Sequence, residues 1–144
     1  CDPLPADVAG VMRCHREGQA MIKVMWFLKR APHLTLEEFG QWWLNVHAAD
    51  IAADQAPYLK KYLVDLRVAD DSGFAGKPAS EPEWDGIAEQ CFDTIEDYNA
   101  VYSRNDRPTR ADTLAHTSAF QRLVVREHRI DMRTGKPSES RRDW

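Results

Sequence analysis

His47 is the residue in this chain whose surroundings most invite chemistry. It closes the run Trp43-Leu44-Asn45-Val46-His47. At ~100° per helical residue it falls beside Leu36 and Trp43, on the apolar face of the helix rather than the wet side. An imidazole placed there is costly unless its ring nitrogens find partners. Asp50, three residues on, is expected on the same face, where it would hold one nitrogen, fix the tautomer and raise the pKa. That is the geometry of an oriented general acid/base; the alternative is a core histidine hydrogen-bonded to backbone. Tyr62, on the strand that follows, carries a hydroxyl able to polarise a carbonyl or enolate oxygen. Its alternative is plain strand packing with the hydroxyl at an edge.

Other candidates are weaker. Asp85 and Glu89 lie four apart on one strand and so share a face; of the two, Glu89 has Ile87 and Cys91 beside it, which argues for burial inside a cavity. His128 follows Glu127 on the last strand and points the opposite way, toward either a cavity or a dimer interface. His33 sits beside a turn, and His116 suits either role. No two histidines stand in HxH or HExxH spacing, so no metal is expected. Trp26, Phe27, Trp42 and Trp43 are core aromatics first; as the wall of a cavity they would favour flat, apolar, ring-bearing ligands. Cys1, Cys14 and Cys91 form no CxxC and leave one unpaired, which reads as a reduced compartment without structural disulfides.

These side chains must be positioned by an ordered domain, and its limits are visible. Residues 1–20 follow neither helical nor strand period and hold two prolines and two glycines, so they read as a flexible leader or a remnant outside the domain. The character changes at Met21, and the packed domain is expected over 21–131, with a polar tail over 132–144. Met21–Lys29 is a strand with Ile22, Val24, Trp26 and Leu28 on one face and Met25 and Phe27 in the middle of the other, so both faces are covered. Thr35-Leu36-Glu37-Glu38 is a capping box. It opens a helix with Leu36, Phe39, Trp43 and Val46 as its buried stripe, ending before Pro57. Tyr58–Val68, Trp84–Phe92 and Gln121–Ile130 are further strands, and Thr94 and Thr109 begin further helices. The order β-α-β-β-α(α)-β is the ferredoxin-like α+β pattern, with an antiparallel sheet carrying helices on one face. Met25, Phe27, Leu59 and Leu63 make the other face apolar, and a second copy of the chain would cover it as a homodimer.

Composition narrows the function classes. Net charge is −4 with no basic stripe among aromatics, so no nucleic-acid partner is expected. Apolar runs break well before the ~20 residues of a membrane helix, and no unbroken apolar h-region lies near the start, so no membrane partner and a cytoplasmic location are expected. No nucleotide-binding glycine motif occurs.

The run MIKVMWFLKRAPHLTLEEFGQWWLNVHAADIA resembles the opening of an EthD-type domain: a strand ending Leu-Lys-Arg, a proline, a capped helix, then Trp-Leu-Asn-Val-His-Ala. WDGIAEQCFDTIED and VVREHRID fit the same family, a branch of the dimeric α+β barrel superfamily. Ala49 stands where relatives often have proline, so nothing breaks the helix after His47. The resemblance implies a dimer whose two sheets form a barrel, with a ligand cavity between sheet and helices in each subunit. Relatives include methylmuconolactone isomerases and fungal polyketide-carboxylate decarboxylases; in the isomerase-like relatives a helix histidine and a tyrosine on the following strand line the cavity, and by motif these are His47 and Tyr62 here. The function implied is a cofactor-free enzyme moving protons on a small cyclic lactone, phenol or polyketide-like compound, as an isomerase, dehydratase or decarboxylase. His47 would move the proton, Asp50 would orient it and Tyr62 would stabilise the oxygen anion, with Trp26, Phe27, Trp43, Glu89 and His128 around the substrate. The rivals are a cofactorless monooxygenase of the same superfamily and a noncatalytic binding subunit.

Overall fold

The computed structural model describes residues 21–76 and 80–138; the expected leader and residues 139–144 of the tail lie outside them. Strand β1 (Ile22–Arg30) occupies the centre of a four-stranded sheet. It pairs antiparallel with β3 (Gly86–Phe92) on one side and β4 (Thr117–Val125) on the other. β3 in turn pairs antiparallel with β2 (Leu59–Leu66), giving the order β2-β3-β1-β4. The period-2 alternation of β1 decides the layers. Val24 and Leu28 are almost fully buried against the helices, with Trp26 partly buried between them.

Helix α1 (Leu36–Trp42) begins at the capping box, with both reciprocal bonds present: Glu38 N donates to Thr35 Oγ1 at 3.0 Å and Thr35 N to Glu38 Oε1 at 2.9 Å. A π-turn (Trp43–His47) then joins it to α2 (Ala48–Gln55). That wide turn has a consequence for every side chain after Trp43. Each of its residues advances by less than the usual ~100°, so the downstream helix is wound back by most of one residue's step. Val46, expected in the buried stripe, is 49% exposed, and His47 takes the inward direction with 4% exposure. Ile51 and Gln55 turn inward with it.

Helix α3 (Ile95–Tyr102) is capped by Thr94, whose Oγ1 accepts from Asp97 N at 3.0 Å. Helix α4 (Arg110–His116) runs straight into β4 with no turn between. The last strand therefore covers 117–125, not Gln121–Ile130 as expected, since no Gly or Pro marks its start. β5 (Ile130–Asp131) and β6 (Lys136–Pro137) form a small hairpin with Gly135 at φ 73°, which joins the end of the expected domain to the start of the expected polar tail.

Two buried groups fix the sheet end beneath α1. Asp85 is 2% exposed and accepts from Arg30 N at 2.8 Å, Arg30 Nη1 at 2.7 Å and Arg67 Nη2 at 2.8 Å. Burial opposes its ionisation, but these donors outweigh burial and hold the carboxyl below the usual carboxylate range. Asp85 is thus a structural clamp just before β3. Gly86 follows because a Cβ there would lie 2.6 Å from Trp43 Cζ3 and 3.2 Å from the Asp65 carbonyl.

The helix-free face carries the odd residues of β1. One register row across it reads Leu63, Glu89, Met25 and Leu123, with Leu63 38% and Leu123 49% exposed. Leu59, expected here, packs instead with Val24 and Phe92 under the helices, because the pairing shifts between Leu59 and Lys61.

Candidate active site

The inward rotation produced by the π-turn sets His47 against α4. Its Nδ1 lies 3.1 Å from Asp112 Oδ2, and its Nε2 lies 3.3 Å from Thr113 Oγ1. A carboxylate at Nδ1 fixes the tautomer: Nδ1 carries the hydrogen and Nε2 keeps its lone pair. The single hydroxyl hydrogen of Thr113 serves either Nε2 or the Thr109 carbonyl, 3.1 Å away. Burial lowers the His47 pKa below the ordinary imidazole value, and the bond to Asp112 offsets that only in part. The ring is therefore neutral near pH 7 and able to accept a proton.

Asp112 holds more than one ring. Trp42 Nε1 donates to both of its oxygens at 3.1 Å, and His116 Nδ1 lies 3.3 Å from Oδ1 and 2.8 Å from the Asp112 carbonyl. Trp42 is sandwiched between the two imidazoles, its ring centroid 4.5 Å from that of His47 and 4.2 Å from that of His116. Stacking on one flank and a carboxylate at the edge leave His47 little freedom to rotate.

His47 opens onto a cavity of about 150 Å³ between the sheet and the helices. A dry space of roughly that size accommodates a benzene ring. Trp26, Trp43, Tyr62 and Tyr102 supply its aromatic wall. Tyr62 Oη accepts from Trp43 Nε1 at 3.0 Å, which leaves the phenol hydrogen to donate elsewhere. Burial pushes the Tyr62 pKa up to about 12, so the hydroxyl stays a donor at any ordinary pH. Tyr102, by contrast, is saturated: it donates to Gln90 Oε1 at 2.5 Å and accepts from Trp26 Nε1 at 3.3 Å and Gln55 Nε2 at 3.4 Å.

The structure thus gathers four of the sequence candidates, His47, Tyr62, Trp26 and Trp43, around one cavity. Four others lie elsewhere. Asp50 is exposed, because the wide turn carries it off the inward face, and Asp112 holds the imidazole in its place. Phe27 and Glu89 are on the opposite side of the sheet, where odd residues of β1 and β3 point. There Phe27 meets the edge of Trp84, and Glu89 pairs with Lys23 Nζ at 2.6 Å. His128 is exposed beyond the end of β4. Asp112 and Gln55 enter the site unannounced, whereas Trp42 was expected as a core or cavity-wall aromatic and His116 in either of two roles; the i,i+4 spacing of Asp112 and His116 is a further trace in sequence. Among the described residues no three His, Cys, Asp or Glu side chains are grouped as a metal ion would need.

A family model of the EthD domain matches residues 31–112, more than half of the 144 residues. The chain belongs to the EthD family. The match spans α1, the π-turn with His47, and the chain as far as Asp112, so both members of the dyad fall inside the EthD domain. The fold is similar to that of an EthD family protein from Bacillus halodurans, 16% identical with TM-score 0.56, over 74% of this chain and 98% of that one. It is also similar to a dimeric protein of unknown function and ferredoxin-like fold from Bacteroides fragilis, 18% identical with TM-score 0.52, over 76% and 98%. A hydroxynitrile lyase from Passiflora edulis aligns at 13% identity and TM-score 0.50, over 78% of this chain and 97% of that one. At such identities the likeness is one of fold, and the fold is ferredoxin-like. No curated protein matches the chain. No helix among the described residues is long and apolar enough to cross a membrane.

Proposed function

We propose that this EthD-family chain is a cofactor-independent enzyme that moves a proton on a small cyclic compound, as an isomerase or lyase. The observation that carries the reading is buried His47, held by the partly exposed Asp112 and opening onto an aromatic cavity the size of one ring. His47 Nε2 takes a proton from a carbon next to a carbonyl, and the electron pair moves to the carbonyl oxygen. Tyr62 donates a hydrogen bond to that oxygen as charge develops there. The imidazolium, steadied by Asp112, returns the proton to another atom of the same ring system, or to a leaving group. Asp112 is a positioning residue in this scheme, since its carboxylate touches the imidazole and not the substrate. That the Passiflora edulis protein of like fold is a hydroxynitrile lyase is in keeping with acid/base work on this scaffold.

The test is hydrogen exchange. Cyclic ketones, unsaturated lactones and phenolic acids are incubated with the protein in deuterium oxide, and proton NMR follows the acidic carbon positions. Enzyme-dependent loss of one such signal is expected for at least one class. Oxygen uptake without exchange would instead mark a cofactorless monooxygenase, and binding without either would mark a noncatalytic carrier.

We further infer a homodimer formed through the helix-free sheet face, on which Met25, Leu63 and Leu123 share a register row with Glu89, itself paired with Lys23. Sedimentation at micromolar concentration should give twice the 16.5 kDa chain mass; a monomer there removes the proposal.

A further inference from the structure

The helix-free face of the sheet also carries charge, from β1, β2, β3 and the chain just past β4. Lys23 Nζ lies 2.6 Å from Glu89 Oε1 and 2.8 Å from Glu127 Oε1, all three side chains being partly buried. Lys61 on β2 and Lys23 on β1 flank buried Cys91 in one register row. Glu89 stands level with Leu63, so Asp65 is its diagonal neighbour across β2 and β3, within reach of a carboxyl side chain. The two carboxyl groups share a hydrogen bond, which they can do only if one of them carries a proton. Within this group three carboxyls, Asp65, Glu89 and Glu127, meet two ammonium groups, Lys23 and Lys61. Neighbouring cations lie outside it. Arg67 is held by Asp85 and Glu81, Lys29 is two strands across from Asp65 and one row beyond it, and Arg129 lies past Glu127. β4 adds only Gln121, Leu123 and Val125 opposite these rows. With every carboxyl ionised, one negative charge is in excess, and in the single chain water relieves it at exposed Asp65.

A second sheet laid on this face removes that water and brings the same excess from its own copy. An uncompensated carboxylate is costly once dry, and taking up a proton removes the cost. We propose that two copies of the chain associate with uptake of a proton on each subunit, shared between Asp65 and Glu89, so that mild acid tightens the dimer. In the separate chain the bond to Glu89 and partial burial already raise the Asp65 pKa to about 6, and covering it raises it further. Between those two values a dimer holds more protons than two separate chains do. Dissociation is therefore favoured as pH rises above about 6, while below it both states hold the proton and the dependence levels off. This linkage rests on the homodimer reading for its location and is independent of the enzyme reading.

Sedimentation over a dilution series, from about pH 5.5 to about pH 8.5, gives the dimer dissociation constant. Where the dimer survives every dilution, mixing unlabelled and 15N-labelled chains and weighing the mixed dimer gives its dissociation rate instead. Either quantity should rise roughly tenfold or more between about pH 6 and about pH 8.5, since each linked proton contributes up to about tenfold per pH unit. Asp65→Asn keeps the shape and donates to Glu89 at every pH, so its dimer should stay as tight in base as the parent's is in mild acid. Glu89→Gln, which leaves two carboxyls against two ammonium groups, should flatten the dependence as well. A parent dimer equally tight across the range, a slope of opposite sign, or one that survives in either variant overturns the proposal. A monomer at every pH removes the dimer reading with it, whereas a dimer indifferent to pH removes this linkage alone.

Discussion

His47→Gln should leave the fold in place and lower turnover by roughly 10²–10⁴-fold, the usual contribution of a positioned proton carrier. The measurement is turnover on whichever substrate first shows enzyme-dependent exchange, expressed per folded molecule. Glutamine roughly matches the ring in reach and can still donate to Asp112, but it cannot accept a proton at neutral pH. Asp112→Asn should follow by a smaller factor, because it loosens the tautomer and the ring's orientation without removing the carrier. Asp50→Asn, on the exposed side of α2, should stay close to the parent. The pH dependence has a definite sign. A base that works as neutral imidazole loses activity as pH falls through its folded pKa, and burial has lowered that value. The acid limb of the parent profile should therefore lie below the ~6.5 of an ordinary histidine. The same shift bears on stability. Below ~6.5 the unfolded chain binds this proton more readily than the folded one, so the contribution is complete above ~6.5 and drains away on acidification. A variant that melts early yet turns over normally would reduce His47 to a core residue and take the main support from the enzyme reading.

Asp85→Asn carries the largest expected change in stability. The carboxylate is 3% exposed and serves one backbone N–H and two guanidinium groups from β1 and the end of β2. Removing one partner of a buried pair costs about 3–5 kcal/mol when the survivors stay dry. Arg30 and Arg67 keep 30% and 18% of their side-chain surface, so the lower end, about 3 kcal/mol, is expected here. In a domain of this length that is a fall of roughly 10 °C in melting temperature. The folded pKa of Asp85 is depressed, so its contribution is present above ~3.9 and is lost as pH falls through the folded value. The gap between parent and Asp85→Asn should hold from pH 7 to about 4 and close below that. Calorimetric melts across that range decide it; coincident melting at pH 7 would show that the clamp contributes nothing.

How far these residues could be read from sequence depends on the distance over which their contacts act. The capping box at Thr35 and Glu38 was legible because both partners sit within one turn. The two faces of β1 were legible because a strand's period admits no alternative once its interior is apolar on both sides. The ferredoxin-like order followed from those local signals and from the EthD resemblance together. The site was legible only on one side. His47 was placed inward correctly, but by a straight-helix wheel that also placed Val46 and Asp50 inward, and the π-turn moved both out. Nothing in Trp43–His47 announces that extra width. Asp112 stands 65 residues further along and reaches His47 only through the docking of α4, a contact no period encodes. The misplaced start of β4 has a related cause, a helix passing directly into a strand with no breaker between them.

The stack of His47, Trp42 and His116 gives the unmodified protein an optical gauge. An indole in face contact with an imidazole loses emission when that imidazole takes a proton, because the cation quenches the excited ring. Trp42 sits within 4.5 Å of His47, centroid to centroid, while Trp26 and Trp43 lie elsewhere on the cavity wall. The difference in fluorescence between the parent and Trp42→Phe therefore reports charge on the two imidazoles stacked against the indole, His47 and His116 together. Charge at the heart of the site can be titrated by light before any substrate is in hand.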